Sequence, residues 1–195
     1  YISKIIFIIP NDKKNLILEK KLKYLRYEYF KGSNLNVLKR YYDAAKYYGS
    51  ENLIRITSDC PLIDSTIIDK MILVFKKNNL DYLSNNNPPS FPHGLDVEII
   101  RFDSLKNAYM NAKSLRDKEH VTYYITRNKK KFKIKNYKNK KNFSKIRVTL
   151  DYIDDFIVIK NIFNHFHPNF YFKLNDIEKL YLKKPQIFSE NLCYT

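Results

Sequence analysis

The chain has 195 residues, 44% of them hydrophobic and 15% aromatic, enough to bury a core as one domain over 1–195 without staples. Its two cysteines, Cys60 and Cys193, lie far apart and outside any metal-ligand spacing, which argues against a disulfide framework or zinc site and for a reducing cytoplasm. The net charge of +16 raises a nucleic-acid reading, sharpest where lysines and aromatics interleave from Arg127 to Lys145. Lys, Asn, Ile and Tyr are abundant throughout, however, so a solvated surface is preferred and nucleic acid is not expected as a partner.

In chain order, the apolar run 4–10 ("KIIFIIP") reads as a strand, too short to span a membrane and without a signal-peptide cleavage site. Helical spacing follows over 15–25, then a strand over 27–32 and a helix over 36–49. A strand over 52–57 ("NLIRIT") runs into "SDCPLID" and a helix over 65–78, for which Asp64 offers an N-cap. Strands over 81–85 and 95–100 precede helices over 102–112 and 118–128. A lysine-rich, edge-like strand over 131–137, a strand over 145–150, and helices over 154–166 and 174–184 complete the alternation. This predicts an α/β fold with a mostly parallel central sheet and helices on both faces. With only three glycines, Gly32, Gly49 and Gly94, the chain has no Gly-rich loop of the P-loop or dinucleotide type.

In open α/β sheets, ligands gather at the carboxyl ends of strands. Asp59 follows "LIRIT" and Asp151 follows "KIRVTL". Two such carboxylates can hold one Mg²⁺ that keeps several waters and takes its other ligands from substrate phosphates. A turn or capping role for Asp59 is the alternative, and the residues alone leave both open. His93, His165 and His167 read as structural or exposed, and the "NHFHP" pair, His165 and His167, lacks further ligands for a metal.

The run "RITSDCPLID" resembles the R-x-T-x-D-C-P-L-I-D signature of the spore-coat-polysaccharide type cytidylyltransferases, GT-A-like sugar nucleotidyltransferases related to the CMP-sialic acid and CMP-KDO synthetases. Residues 32–49, 81–100, 117–125 and 146–163 resemble further blocks of that family in the same order. The resemblance implies a Rossmann-like GT-A nucleotidyltransferase fold. It also implies a reaction in which a sugar oxygen attacks the α-phosphate of CTP, releasing pyrophosphate and leaving a CMP-activated sugar for surface polysaccharide or glycan synthesis. Such a transfer rests on positioning and charge stabilisation. The resemblance puts Asp59 and Asp151 at metal positions with Mg²⁺ as cofactor, makes CTP and a sugar the substrates, and implies a homodimer.

Other roles follow from the same blocks. Asp96 and Glu98 alternate on the predicted strand 95–100, behind a Gly94 that allows close backbone approach, and can orient sugar hydroxyls or stand at a solvent-facing edge. Asn85 can hydrogen-bond the sugar or serve a turn. His120, beside Glu119 at the predicted start of helix 118–128, is a general base, a sugar contact, or a packed side chain. Ser33, Asn36 and Arg40 belong to the block near the nucleotide; Arg40 can meet a phosphate through its planar fork, and Asn36 replaces the aspartate usual in the family.

The family opens with a strand and a basic loop of the type R-x-x-S-x-R-L-P-G-K that clamps the triphosphate, whereas "KIIFIIPNDKKN" resembles its second strand. The first strand, loop and helix are therefore expected to be missing. As a fragment or decayed homologue, the chain is expected to turn over CTP poorly unless an upstream segment restores them. The alternatives are a GT-A glycosyltransferase using a nucleotide sugar and a basic nucleic-acid-binding protein on a decayed scaffold.

Overall fold

The computed structural model describes residues 1–194. Strands and helices alternate as the periodicity implies. The order is β1 (Phe7–Pro10), α1 (Leu16–Tyr24), β2 (Tyr29–Gly32), α2 (Val37–Tyr47), β3 (Asn52–Arg55), α3 (Ser65–Lys77), β4 (Tyr82–Ser84) and β5 (Glu98–Arg101). There follow α4 (Phe102–Asn111), α5 (Leu115–Glu119), α6 (Tyr123–Arg127), β6 (Ile134–Asn136), α7 (Ile153–Phe166) and α8 (Leu174–Lys183). β1 and β2 pair in parallel, from Phe7 opposite Tyr29 to Pro10 opposite Gly32. β3, β5, β4 and β6 form a second sheet in that order, so strand pairing falls in two sheets, with β6 an edge strand whose Lys135 is exposed.

By internal contacts the chain divides into two compact units. One comprises Tyr1–Leu53, Asn79–Tyr82 and Ile100–Ile134; the other comprises Ile54–Asn78, Leu83–Ile99 and the residues from Lys135 onward. In the first, Leu38 and Ala45 of α2 share a core with Leu105 and Ala108 of α4 and Ile125 of α6. Each fully buried Leu or Ile there contributes on the order of 1.5–3 kcal/mol. Tyr42 stacks on Tyr109 at 4.4 Å beside them.

In the second unit, α3 buries Ile67, Ile68, Met71, Ile72 and Phe75, a stripe at helical spacing. Asp64 is its N-cap, accepting the Thr66 N–H at 2.7 Å. Its other oxygen accepts the Leu174 N–H at 3.0 Å, so one carboxylate secures the first turns of both α3 and α8.

Three expected elements differ. The helix predicted over 118–128 is two short helices, α5 and α6, and His120 ends the first in an extended conformation (φ −99°, ψ 93°) rather than starting a helix. A capping box between Ser114 and Asp117 starts α5 early, and the fully buried Asp117 receives the Arg127 fork (2.9 and 2.9 Å) from the end of α6. The strand expected over 145–150 is an extended run with one parallel bridge, Arg147 to His93. Its backbone bonds go to loops: His93 N–H to Ile146 O (2.9 Å), Val148 N–H to His93 O (2.8 Å) and Leu150 N–H to Asp59 O (2.9 Å). Finally, β5 begins at Glu98, so Asp96 lies in the segment ahead of the strand and does not alternate with Glu98 along it.

Candidate functional site

Asp59 occupies the turn after β3. Cys60 N–H donates to Thr57 O at 3.2 Å, and the Thr57 hydroxyl donates to Asp59 Oδ1, so the carboxylate is oriented by its own turn. The Asp59 carbonyl accepts the Leu150 N–H at 2.9 Å and the Thr149 hydroxyl at 3.1 Å. Asp151 is the next residue of that run. Oδ2 of its 42% exposed side chain accepts from Arg147 Nη2 at 2.8 Å.

Asp59 Oδ2 and Asp151 Oδ1 carry no hydrogen bond among the described residues. No group of three or more His, Cys, Asp or Glu side chains among these residues could hold a metal. Mg²⁺ demands less, since one or two carboxylates suffice when waters and phosphate oxygens complete its octahedron. Asp59 and Asp151 each keep one carboxylate oxygen without a hydrogen bond among the described residues, the type of donor such an ion takes.

A third acid adjoins this turn. Burial pushes the Asp96 carboxyl above its usual range, and the negative charges of Glu98 and Asp59 add to the effect, while the Gly94 N–H opposes it. Gly94 makes its place possible. At φ +103° it lies against the 148–149 backbone, where a Cβ would meet Thr149 N at 2.4 Å and Val148 C at 2.5 Å. Asn85, 1% exposed, brackets Asp96 through backbone: its Nδ2 donates to Leu95 O at 2.7 Å and its Oδ1 accepts the Val97 N–H at 2.8 Å. Glu98 is buried and takes the Arg55 guanidinium, a strong charge-assisted bond. Cys60, buried beside them, has its thiol pushed up to about 11 by burial and is no nucleophile at neutral pH.

The remaining candidates belong to the first unit. Ser33 Oγ accepts the Asn36 N–H at 3.1 Å, and Asn36 caps α2 by accepting the Lys39 N–H at 2.8 Å, so together they build the β2–α2 turn. Arg40, 9% exposed, lays its stem against Gly32, where a Cβ would meet its Cγ at 2.7 Å. Its Nη1 donates to Ser33 O at 2.9 Å, its buried Nε has no partner among the described residues, and burial lowers its pKa. Glu119 closes α5, with His120 after it, both exposed.

Sequence reasoning missed Arg147, Asp155 and the place of His93. Arg147 bonds Asp155 twice (2.8 and 2.8 Å), Asp151 (2.8 Å) and His93 Nδ1 (3.2 Å). Burial pushes the Asp155 carboxyl up, but the Arg147 fork, the Asp151 and Tyr152 N–H groups and Asn191 outweigh it and hold the group well below the usual carboxylate range. His93, read as structural or exposed, is half-exposed yet sits between Arg147 and Asp96, whose Oδ2 is 3.9 Å from its Nε2. No signal in the sequence singled them out, because spacings of four and eight put side chains on one face of a strand as readily as of a helix.

The architecture is a Rossmann-like nucleotidyltransferase fold. It matches the solved structure of a cytidylyltransferase from Leptospira borgpetersenii serovar Hardjo-bovis with a TM-score of 0.91 and 31% identity, over 95% of this chain and 78% of that one. The chain belongs to the cytidylyltransferase family, whose model matches residues 11–192. Among curated proteins it is 40% identical over 140 residues to the uncharacterized protein MJ1063 of Methanocaldococcus jannaschii, covering 70% of this chain and 56% of that protein. It is 27% identical over 142 residues to the spore coat polysaccharide biosynthesis protein SpsF of Bacillus subtilis, covering 69% of this chain and 56% of that protein. The chain thus spans little more than half the length of the curated relatives it matches. No helix among the described residues is long and apolar enough to cross a membrane.

Proposed function

We propose that this chain carries the nucleotide- and metal-binding part of an enzyme that transfers CMP from CTP to a sugar for surface polysaccharide or glycan synthesis. Family membership supports the nucleotide, and the likeness to SpsF supports the pathway class. The observation that supports the reading is that the Asp59 carbonyl accepts from Leu150 and Thr149, the two residues before Asp151, so the backbone turns that carry the two acids adjoin. Asp59 and Asp151 would hold Mg²⁺. The ion, when bound, supplies the charge that offsets the phosphate oxygens as pyrophosphate leaves.

The chain's own groups do the rest. Asp96, with its affinity for a proton raised by burial and its acidic neighbours, is suited to accept the hydrogen of an attacking sugar hydroxyl. Asn85 acts by fixing the backbone around Asp96 rather than by touching the sugar, and Glu98 acts as the counter-charge of Arg55. Arg40, Ser33 and Asn36 form the β2–α2 turn at the carboxyl end of the β1–β2 pair, where a nucleotide is expected. Glu119 and His120, exposed at the end of α5, remain available for a sugar. A cytoplasmic homodimer belongs to the same proposal.

The test is thermal stabilisation by Mg²⁺ with CTP, set against ATP, GTP and UTP, in wild type and Asp59→Ala. A selective ligand at a hundred times its Kd stabilises by about 2.7 kcal/mol. A CTP-selective gain that disappears in Asp59→Ala is the expected result. Stronger stabilisation by UDP- or GDP-sugars would transfer the reading to a glycosyltransferase. Steeply salt-dependent RNA binding without a CTP effect would overturn the enzyme reading.

A further inference from the structure

We propose that Arg147 is a positioning residue that orients two groups of the candidate site at once, the Asp151 carboxylate and the His93 ring, and fixes which nitrogen of His93 carries the proton. The inference rests on the proposed metal role of Asp151 for half of its content; the other half, the state of His93, stands without it.

Arg147 is 6% exposed and held on every side. Its Nε and Nη2 fork onto the two oxygens of the fully buried Asp155, and Nη2 directs its second hydrogen to Asp151 Oδ2 at 2.8 Å. The buried Asn191 bonds both the Arg147 carbonyl (3.1 Å) and Asp155 Oδ1 (2.8 Å), bracing the pair from the far end of the chain. Tyr152 and Tyr194 stack on each other at 4.3 Å, with the guanidinium carbon 5.7 and 5.6 Å from their ring centres. A planar fork locked in this way has one orientation, and whatever it donates to inherits that orientation.

Two consequences follow. First, Asp151 is held by Oδ2 only, which leaves Oδ1 without a hydrogen bond among the described residues; the carboxylate is set before any cation arrives. Second, Arg147 Nη1 meets His93 Nδ1 at 3.2 Å. A guanidinium can only donate. Nδ1 is therefore the acceptor, the ring is neutral, and its proton is on Nε2, which faces Asp96 Oδ2 at 3.9 Å. Through one side chain the run 146–150 thus sets Asp151 and turns an N–H toward Asp96. Lysine at this position would keep the positive charge but not the fork, and one ammonium cannot hold Asp155, Asp151 and His93 in a plane together.

The experiment uses the full chain, with Mn²⁺ as the probe ion followed by titration calorimetry, and ¹⁵N NMR of histidine-labelled protein at pH 8. In wild type the His93 resonances are expected to report Nε2–H, with Nδ1 unprotonated; an Nδ1–H or doubly protonated ring refutes the proposal and requires no variant. Arg147→Lys is expected to weaken Mn²⁺ binding by about 10–100-fold, the usual effect of losing a group that orients a ligand. It is also expected to release His93 into a mixture of both tautomers while far-UV circular dichroism stays unchanged. Arg147→Lys binding Mn²⁺ as wild type does, while Asp151→Asn loses it, would overturn this role and leave the metal reading standing. A wild type that binds no Mn²⁺ would overturn the metal reading, and the Asp151 half of this inference with it.

Discussion

Asn85→Ala tests whether a buried amide holds the site's third acid in place. The wild-type amide satisfies two main-chain groups, Leu95 O at 2.7 Å and the Val97 N–H at 2.8 Å, in a position 1% exposed. Alanine removes both partners and leaves two buried polar groups unmade. At about 1–3 kcal/mol for each unsatisfied group, the cost is about 2–6 kcal/mol, with the lower end applying if water enters the gap. A loss of about 3 kcal/mol moves a urea midpoint by about 1–1.5 M at a slope of about 2–3 kcal/mol per M. The local readout is sharper. Amide exchange at Val97 should accelerate out of proportion to the rest of the chain, because its acceptor is the deleted side chain. A midpoint shift under about 0.3 M, together with unchanged exchange at Val97, would refute the reasoning.

Gly94→Ala should displace the extended run beside it, since its Cβ would stand 2.4 Å from Thr149 N at a φ of +103°. Strain at such a φ costs about 1–3 kcal/mol before any clash. Faster exchange of the Val148 amide, which donates to His93 O, is the marker, and stability within about 0.5 kcal/mol of wild type would contradict the close approach. Asp155→Asn probes the depressed Asp155 carboxyl. The folded-state pKa lies below the unfolded one, so the stabilisation is complete above the ordinary carboxylate value near about 3.9 and is lost as pH falls below it toward the folded value. The stability gap between wild type and Asp155→Asn should therefore be widest near neutrality and narrow toward about pH 3; a gap that is flat or widens on acidification would contradict the assignment.

Where information is local, the sequence was readable. Asp64 and the stripe from Ile67 to Phe75 define α3 within a few residues, and the structure keeps both cap and stripe. Asn36 likewise heads α2. What escaped was tertiary. The break at His120 depends on Arg127 reaching back to a buried Asp117, and nothing in "KEHVTYYITRN" advertises that pair. Residues 145–150 have strand-like composition, but their backbone partners are the loops at Asp59 and His93, whose approach is set by Gly94 lying flush on Val148 and Thr149. The same limit hid part of the candidate site. Asp59 and Asp151 could be proposed from position, whereas Asp155 and Arg147 come together only once α7 brings the Asp155 carboxylate under the arginine fork. Asn85 could be picked out as a polar residue at a strand end, but not as one whose amide is engaged by backbone on both sides of Asp96.

The most direct measurement of the central claim, one cation shared by Asp59 and Asp151, is a double-mutant cycle. Calorimetric affinity for CTP in the presence of Mg²⁺ would be compared among wild type, Asp59→Asn, Asp151→Asn and the double variant. Each single change is expected to weaken binding by about tenfold or more, equivalent to about 1.4 kcal/mol. The double variant should be little worse than the weaker single, because the ion is already lost. Losses that multiply independently, or singles that bind as wild type, would contradict it.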